Sequence, residues 1–210
     1  MGKIEITKKV LGICATNCYT VVDTETKEAL IIDPADRADV LIRDWKDKGV
    51  TPTAVLLTHG HFDHIGALAC VKKEYPEIRV YAAAEEKEVM ESPALNLSSS
   101  FGAAFTAQAD IYLEDGTEIE VLGRKCKCLL VPGHTKGGMC YYFPEEHVVF
   151  TGDTLFCYSV GRTDFPTGDA KALEEAIREK LFTLPDETLV LPGHDAQTMI
   201  GKEKKGNPYF

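Results

Sequence analysis

Thr58-His59-Gly60-His61-Phe62-Asp63-His64 places three imidazoles and a carboxylate within one short segment. His134, Asp153 and His194 follow downstream, so five of the six histidines join two aspartates in one candidate set. Imidazole nitrogen and carboxylate oxygen are borderline-to-hard ligands suited to zinc, iron, manganese or nickel. Seven such groups exceed the needs of one divalent ion and suit two ions that share a carboxylate. In a turn, residues two apart can point to the same side, so His59 and His61 can chelate one ion while Asp63 and His64 turn to a second. His134 can complete the first set, His194 the second, and Asp153 can bridge both. The chemistry to expect is a water activated by metal.

The elements that must position these groups can be read from the hydrophobic pattern. Val55–Leu57 leads into His59, Leu129–Val131 into His134, Val148–Phe150 into Asp153 and Leu189–Leu191 into His194. Each ligand is therefore expected two to three residues beyond a buried strand, where strands ending at a common edge bring their loops together. Gly60, Gly133, Gly152 and Gly193 each adjoin a ligand, as tight turns or close backbone approach require. Strands are also expected over Ile4–Val10, Tyr19–Val22, Ala29–Ile32, Arg79–Ala82, Ile119–Leu122 and Met139–Phe143. Helices are expected over Ala38–Lys48, His64–Tyr75, Ala84–Met90 and Ala170–Leu181, the last with Leu173, Ala176, Ile177 and Leu181 on one stripe. Residues 92–110 read either as a linker or as a loop with a packed turn at Phe101 and Phe105. Lys202-Glu203-Lys204-Lys205 reads as a solvated end.

At 210 residues and 44% hydrophobic, the chain is expected to form a single domain, 1–210, with a sizeable core. Its net charge of −10, without a basic run, argues against nucleic acid as a partner. No apolar stretch approaches membrane-spanning length. Met1-Gly2-Lys3-Ile4 lacks the apolar core of a secretion signal, and the seven cysteines are odd in number. Reduced thiols in a cytoplasm are the expectation. Cys126 and Cys128, two apart, should share a buried strand face.

The H-x-H-x-D-H segment has company. Ile32-Asp33-Pro34, Pro132-Gly133-His134-Thr135, Thr151-Gly152-Asp153-Thr154-Leu155-Phe156, Gly161-Arg162-Thr163-Asp164-Phe165-Pro166, Pro192-Gly193-His194 and Asn207-Pro208 follow in order along nearly the whole chain. Together they resemble the metallo-β-lactamase superfamily, specifically its glyoxalase II-like branch of hydroxyacylglutathione hydrolases in the short bacterial form without a C-terminal helical domain. The resemblance implies an α/β fold, an αββα four-layer sandwich with the metals at one rim. It implies His59, His61 and His134 on one metal, Asp63, His64 and His194 on the other, and Asp153 bridging. Two divalent ions are implied, zinc first and iron or manganese next. The implied reaction is hydrolysis of a small-molecule thioester such as S-lactoylglutathione by a metal-bridging hydroxide, with Asp63 aiming that hydroxide. A thiolate whose conjugate acid has a pKa of about 8.5 leaves without a dedicated acid.

Outside the ligands, Asp33 can orient a ligand histidine or serve only as an Asp-Pro turn. Arg162 can grip a substrate carboxylate or simply pair with Asp164 or Asp169. The family's usual Gly-His-Gly-Pro is Gly193-His194-Asp195-Ala196 here, so Asp195 can approach the second metal or its histidine. Asp153 and the missing secretion signal argue against antibiotic hydrolysis. The nearest rival is a persulfide dioxygenase of the same fold, with one iron on His59, His134 and Asp153. A non-catalytic metal-binding module fits less well, because structural zinc sites are closed and rich in cysteine.

Overall fold

A computed structural model describes residues 2–210 of the chain. The first half builds a six-stranded sheet in the spatial order β1 (Ile4–Leu11), β2 (Thr16–Asp23), β3 (Glu28–Ile32), β4 (Thr51–Leu56), β5 (Arg79–Ala83) and β6 (Ile111–Leu113). β1, β2 and β3 pair antiparallel; β3 to β6 run parallel. Parallel neighbours need crossovers. Helix α1 (Ala38–Asp47) supplies one, and the short helices α2 (Phe62–Ile65) and α3 (Leu68–Glu74) supply the next. Helical turns α4 (Lys87–Glu91) and α5 (Ser98–Phe101) lie within the third.

The second sheet contains β7 (Glu118–Val121), β8 (Arg124–Leu130), β9 (Met139–Phe143), β10 (Val148–Gly152), β13 (Leu189–Pro192) and β14 (Thr198–Met199), with β7 and β14 at its edges. A small hairpin, β11 (Leu155–Phe156) and β12 (Ser159–Val160), follows β10. Helix α6 (Ala170–Ala176) continues as a wider turn over Ile177–Leu181, and α7 (Ile200–Gly206) follows β14. Asp169 caps α6 by accepting from the backbone N–H groups of Lys171 and Ala172.

The period-two alternation of the strands sorts side chains into three apolar layers. Leu30, Ile32, Cys126, Cys128, Tyr141, Phe150 and Leu191 pack between the sheets. Ile31, Val55 and Val80 face the other way, against Leu41 and Trp45 of α1 and Val71 of α3. Val149, Val190 and Cys140 face Leu173, Ile177 and Leu181. Helix, sheet, sheet, helix is the αββα sandwich expected from the sequence. Cys126 and Cys128 share the inner face, as their spacing predicts, and all seven cysteines are free.

Several elements differ from expectation. The helix expected over His64–Tyr75 starts earlier and is broken between Ile65 and Leu68 into α2 and α3. β2 begins at Thr16 rather than Tyr19 because Thr16 and Asn17, although polar, are fully buried and bonded at the site. The first candidate ligand of each loop, His59, His134, Asp153 or His194, lies between one and four residues past its strand end rather than a uniform two to three. Residues 202–205 are not a solvated end but part of α7. Glu203 is buried there, accepting from Thr198 Oγ1, Asn207 Nδ2 and the N–H of Tyr158. Residues 92–110 form a packed loop: the buried Asn96 side chain donates to the carbonyls of Met90 and Phe105 and accepts from the N–H of Ser98. Among the described residues, no helix is long and apolar enough to cross a membrane.

Candidate metal centre

The first sheet sends one loop to the site and the second sends three. His59 and His61 follow β4, and Asp63 and His64 ride on α2. His134 follows β8, Asp153 follows β10 and His194 follows β13. The two sheets are tied here: Met139 N–H donates to the carbonyl of Thr58 and Tyr141 Oη to that of Leu57. The loops approach so closely that two glycines have no room for a side chain. A Cβ on Gly152, at φ +49°, would lie 2.2 Å from Thr58 Oγ1, and one on Gly193 would lie 2.4 Å from Asp153 Oδ1.

All seven predicted ligands converge. His59, His61 and His134 form one group of potential ligand atoms; Asp63, His64 and His194 form a second; and His59, His64 and Asp153 form a third, each within 4.8 Å. Asp153 lies between the first two groups. Its Oδ1 is 3.3 Å from His64 Nε2, and its Oδ2 is 3.3 Å from His194 Nε2 and 3.6 Å from His134 Nε2. Asp63 Oδ2 is 3.4 Å from His194 Nε2 and 3.6 Å from His64 Nε2.

Three histidines have one ring nitrogen engaged by the protein. His64 Nδ1 bonds Asp33 Oδ2 at 2.8 Å, His134 Nδ1 bonds the carbonyl of Arg162 at 2.7 Å, and His59 Nδ1 lies 3.2 Å from Thr58 Oγ1. Each such bond fixes the tautomer and turns Nε2 toward the centre. His61 Nδ1 and His134 Nε2 face each other at 2.9 Å. The buried Nε2 atoms of His59, His61 and His64 and Oδ1 of Asp153 have no hydrogen-bond partner. Buried, unpartnered polar atoms each cost about 1–3 kcal/mol. Cations at this point would satisfy several at once, so the donor set fits divalent metal.

The electrostatics divide the histidines: burial opposes the charge on His64, but the carboxylates of Asp63, Asp153 and Asp33 hold it well above the usual imidazole range, so its proton must leave for an ion to bind there. Burial pushes His59 well below the usual imidazole range and His61 down to about 3, which keeps both rings neutral and ready to ligate. Burial works against the charges of Asp63 and Asp153. The positive charge on His64, with hydrogen bonding from His194, overrides it, holding Asp63 at about 2 and Asp153 well below the carboxylate range. Burial likewise opposes protonation of His194, but bonds to Asp153 and Asp63 raise it to about 9.

The flanking candidates fall differently. Asp33, buried at φ +50°, accepts from Thr58 N–H at 2.8 Å and Thr58 Oγ1 at 2.6 Å besides holding His64. It orients the candidate ligand His64 rather than merely making a turn. Arg162 points its guanidinium bidentately at Asp164, 2.7 Å at each contact, and covers the Phe165 ring at 4.0 Å. The pairing alternative describes that side chain, and its carbonyl is what meets His134. Asp195 is exposed, and its carbonyl accepts from Lys8 Nζ and Asn17 Nδ2.

Sequence reasoning missed the residues that brace these loops. Thr16 Oγ1 donates to Asp63 Oδ2 at 2.7 Å. Asn17 Nδ2 and Tyr19 Oη both donate to the carbonyl of Pro192, and Asn17 N–H donates to that of Gly193, fixing the turn before His194. Glu86 is fully buried and bridges the two loops of the first group, accepting from Gly60 N–H at 2.7 Å and Thr135 Oγ1 at 2.9 Å. Thr58 and Thr135 adjoin ligands and could have been flagged. Glu86 sits in the charged run Glu85-Glu86-Lys87-Glu88 and resembles a solvated face.

The chain matches the metallo-beta-lactamase superfamily over residues 11–194. It is 38% identical to a probable metallo-hydrolase, YqgX, of Bacillus subtilis over 95% of this chain and 94% of that protein. It is 35% identical to the hydroxyacylglutathione hydrolase GloC of Haemophilus influenzae over 92% of each. Among solved structures, the BLEG-1 B3 metallo-beta-lactamase superposes with TM-score 0.92 at 39% identity, covering 98% of this chain and 99% of that one. A di-iron-bound form of TTHA1623 gives 0.85 at 36%, covering 97% and 100%. ETHE1 from Myxococcus xanthus gives 0.80 at 32%, covering 97% and 83%.

Proposed function

Because this chain belongs to the metallo-β-lactamase superfamily, we propose that it is a two-metal hydrolase of the glyoxalase II type that cleaves small-molecule thioesters. The observation that carries this reading is Asp153, whose two oxygens reach histidines of both ligand groups. A carboxylate so placed suits a shared pair of ions better than one. Bound divalent ions supply a water ionised near neutral pH and a Lewis acid for a carbonyl oxygen.

The chain's own residues do the rest. Asp33, the Arg162 carbonyl and Thr58 hold three imidazoles in register. Thr16 donates to one oxygen of Asp63, steadying the carboxylate we assign to aim the attacking water. Phe165, edge-on to the His61 ring at 5.7 Å, and Phe156, 6.1 Å from that of His194, flank the centre with apolar surface and limit water. The likeness to the Haemophilus hydroxyacylglutathione hydrolase supports a thioester substrate. Zinc is our first assignment for the metal, with iron or manganese next. We read residues 1–210 as one catalytic unit of the cytoplasm, with neither nucleic acid nor membrane as a partner.

A second reading, a mononuclear-iron persulfide dioxygenase, draws on His134 and Asp153 lying 3.6 Å apart with His59 beside them, a two-histidine, one-carboxylate set. One experiment separates the two. Elemental analysis with anaerobic assay on S-lactoylglutathione and on neutral thioesters should find two metals per chain and free thiol released without oxygen. One iron per chain and oxygen uptake with glutathione persulfide would overturn the hydrolase. The panel includes a β-lactam, because the chain is 39% identical to BLEG-1, described as a B3 metallo-beta-lactamase.

A further inference from the structure

A cleft of about 330 Å³ opens directly beside Asp63. Ile13, from the turn between β1 and β2, lines it together with Phe62, Phe101 and Phe105. The rings of Phe62 and Phe101 stack at 4.7 Å and 16°. Past Gly66 and Phe105 the cleft continues into a hollow of about 630 Å³ bordered by Leu68, Ala69 and Ala107.

Two observations identify what fits there. The first is exposed apolar surface: Ile13 is 77% exposed and Phe101 51%. Large apolar side chains left open together at the mouth of a cleft mark a binding surface rather than a core. The wall carrying Phe101 is built in advance, because Asn96 ties it through Phe105 and Ser98. The second is charge. Apart from Asp63, which belongs to the candidate ligands, the lining contains one charged residue, Asp36, and no lysine, arginine or histidine. The one cation of the outer hollow, Lys72, is already paired with Asp110 at 2.5 Å. Arg162 is likewise committed to Asp164. Away from the metal centre, a carboxylate brought into this cleft meets Asp36 and no unpaired lysine or arginine, whereas an aryl ring meets the apolar side chains of Ile13 and Phe101.

We propose that this cleft receives an uncharged aryl or alkyl group of the substrate, so that thioesters with a neutral apolar group are preferred over those of an anionic tripeptide such as glutathione. The inference rests on the thioesterase reading for its reaction, but not for its binding test. Calorimetric titration of the zinc-loaded protein would use three non-hydrolysable thioethers: S-benzyl-N-acetylcysteamine, S-methyl-N-acetylcysteamine and S-benzylglutathione. The neutral benzyl compound should bind at least tenfold tighter than either of the others. Phe101→Ala should remove about tenfold of that affinity, and Asp36→Lys should tighten S-benzylglutathione severalfold. Equal binding of the benzyl and methyl compounds, or an unaltered affinity in Phe101→Ala, would overturn the assignment.

Turnover then tells which half of the substrate enters. S-phenylacetyl-N-acetylcysteamine carries the ring on the acyl side, and benzyl thioacetate carries it on the thiol side. Whichever is cleaved faster than S-acetyl-N-acetylcysteamine, with the advantage lost in Phe101→Ala, identifies the half. No advantage for either would count against the cleft as a substrate site. Intact benzyl binding with no thioester cleaved at all would sink the thioesterase reading and leave the cleft assigned.

Discussion

Asp153 and Glu86 show how differently two buried carboxylates can serve one centre. Asp153 faces the ligand atoms, so Asp153→Asn should lose at least one of the two metals and reduce hydrolysis at least a hundredfold, with elemental analysis as the check. A full metal complement in that variant would refute its bridging role. Glu86 faces away, holding Gly60 and Thr135. Burial raises its carboxyl to about 7, against the opposing bonds from Gly60, Thr135 and Gly137 and the charge of Lys136. A folded pKa above the unfolded value near 4.5 means that the native state binds more protons between those values. Its contribution to stability is therefore full below about 4.5 and is lost as pH rises to about 7. Denaturant unfolding of metal-free protein should show a steeper fall across that window in the wild type than in Glu86→Gln. Equal slopes would show that Glu86 does not titrate there.

At the scale of elements, the site depends on strands that carry no ligand. β2 reaches across to the turn after β13 through Asn17 and Tyr19. Asn17→Ala removes one donor each from the carbonyls of Pro192 and Asp195, which keep only Tyr19 Oη and Lys8 Nζ. Because each hydrogen bond contributes about 0.5–1.5 kcal/mol net, the Asp63–His64–His194 group should lose roughly tenfold in metal affinity while the other group keeps its ion, as measured by metal content after graded dialysis. Simultaneous loss of both ions would show that the groups are not independent.

This bracing also marks the limit of what the sequence reveals. The seven candidate ligands are legible because each is a histidine or aspartate in a segment that follows a short apolar strand, with glycine directly beside five of them. Asp33 is half legible, as an Asp-Pro turn that could do more. Asn17 and Glu86 are not: their partners lie 175 and 26 residues away, and nothing local sets them apart from turn or surface residues. The α2–α3 break and α7 escaped for the same reason, since the contacts that shape them come from distant segments.

For the molecule as a whole, bound ions add stability by mass action, by about 4 kcal/mol when free metal is a thousandfold above its Kd. In a chain of this length that corresponds to a melting shift on the order of 10 °C. Trp45, the single tryptophan, is fully buried with its indole N–H on Thr20 Oγ1, so its fluorescence reports global unfolding. Chelator treatment should lower the melting temperature by that amount and abolish thioester cleavage together. Full activity after stripping would revive a non-catalytic role for the ions.

The division of ligands between the sheets has a mechanical side. Four come from the leaf built by the first half of the chain and three from the leaf built by the second. A cation shared in this way would act as a rivet through both leaves at their rim, where no disulfide joins them. Prying the leaves apart there and releasing the ion would be one event, so the hold on the metal would set how often that seam can open.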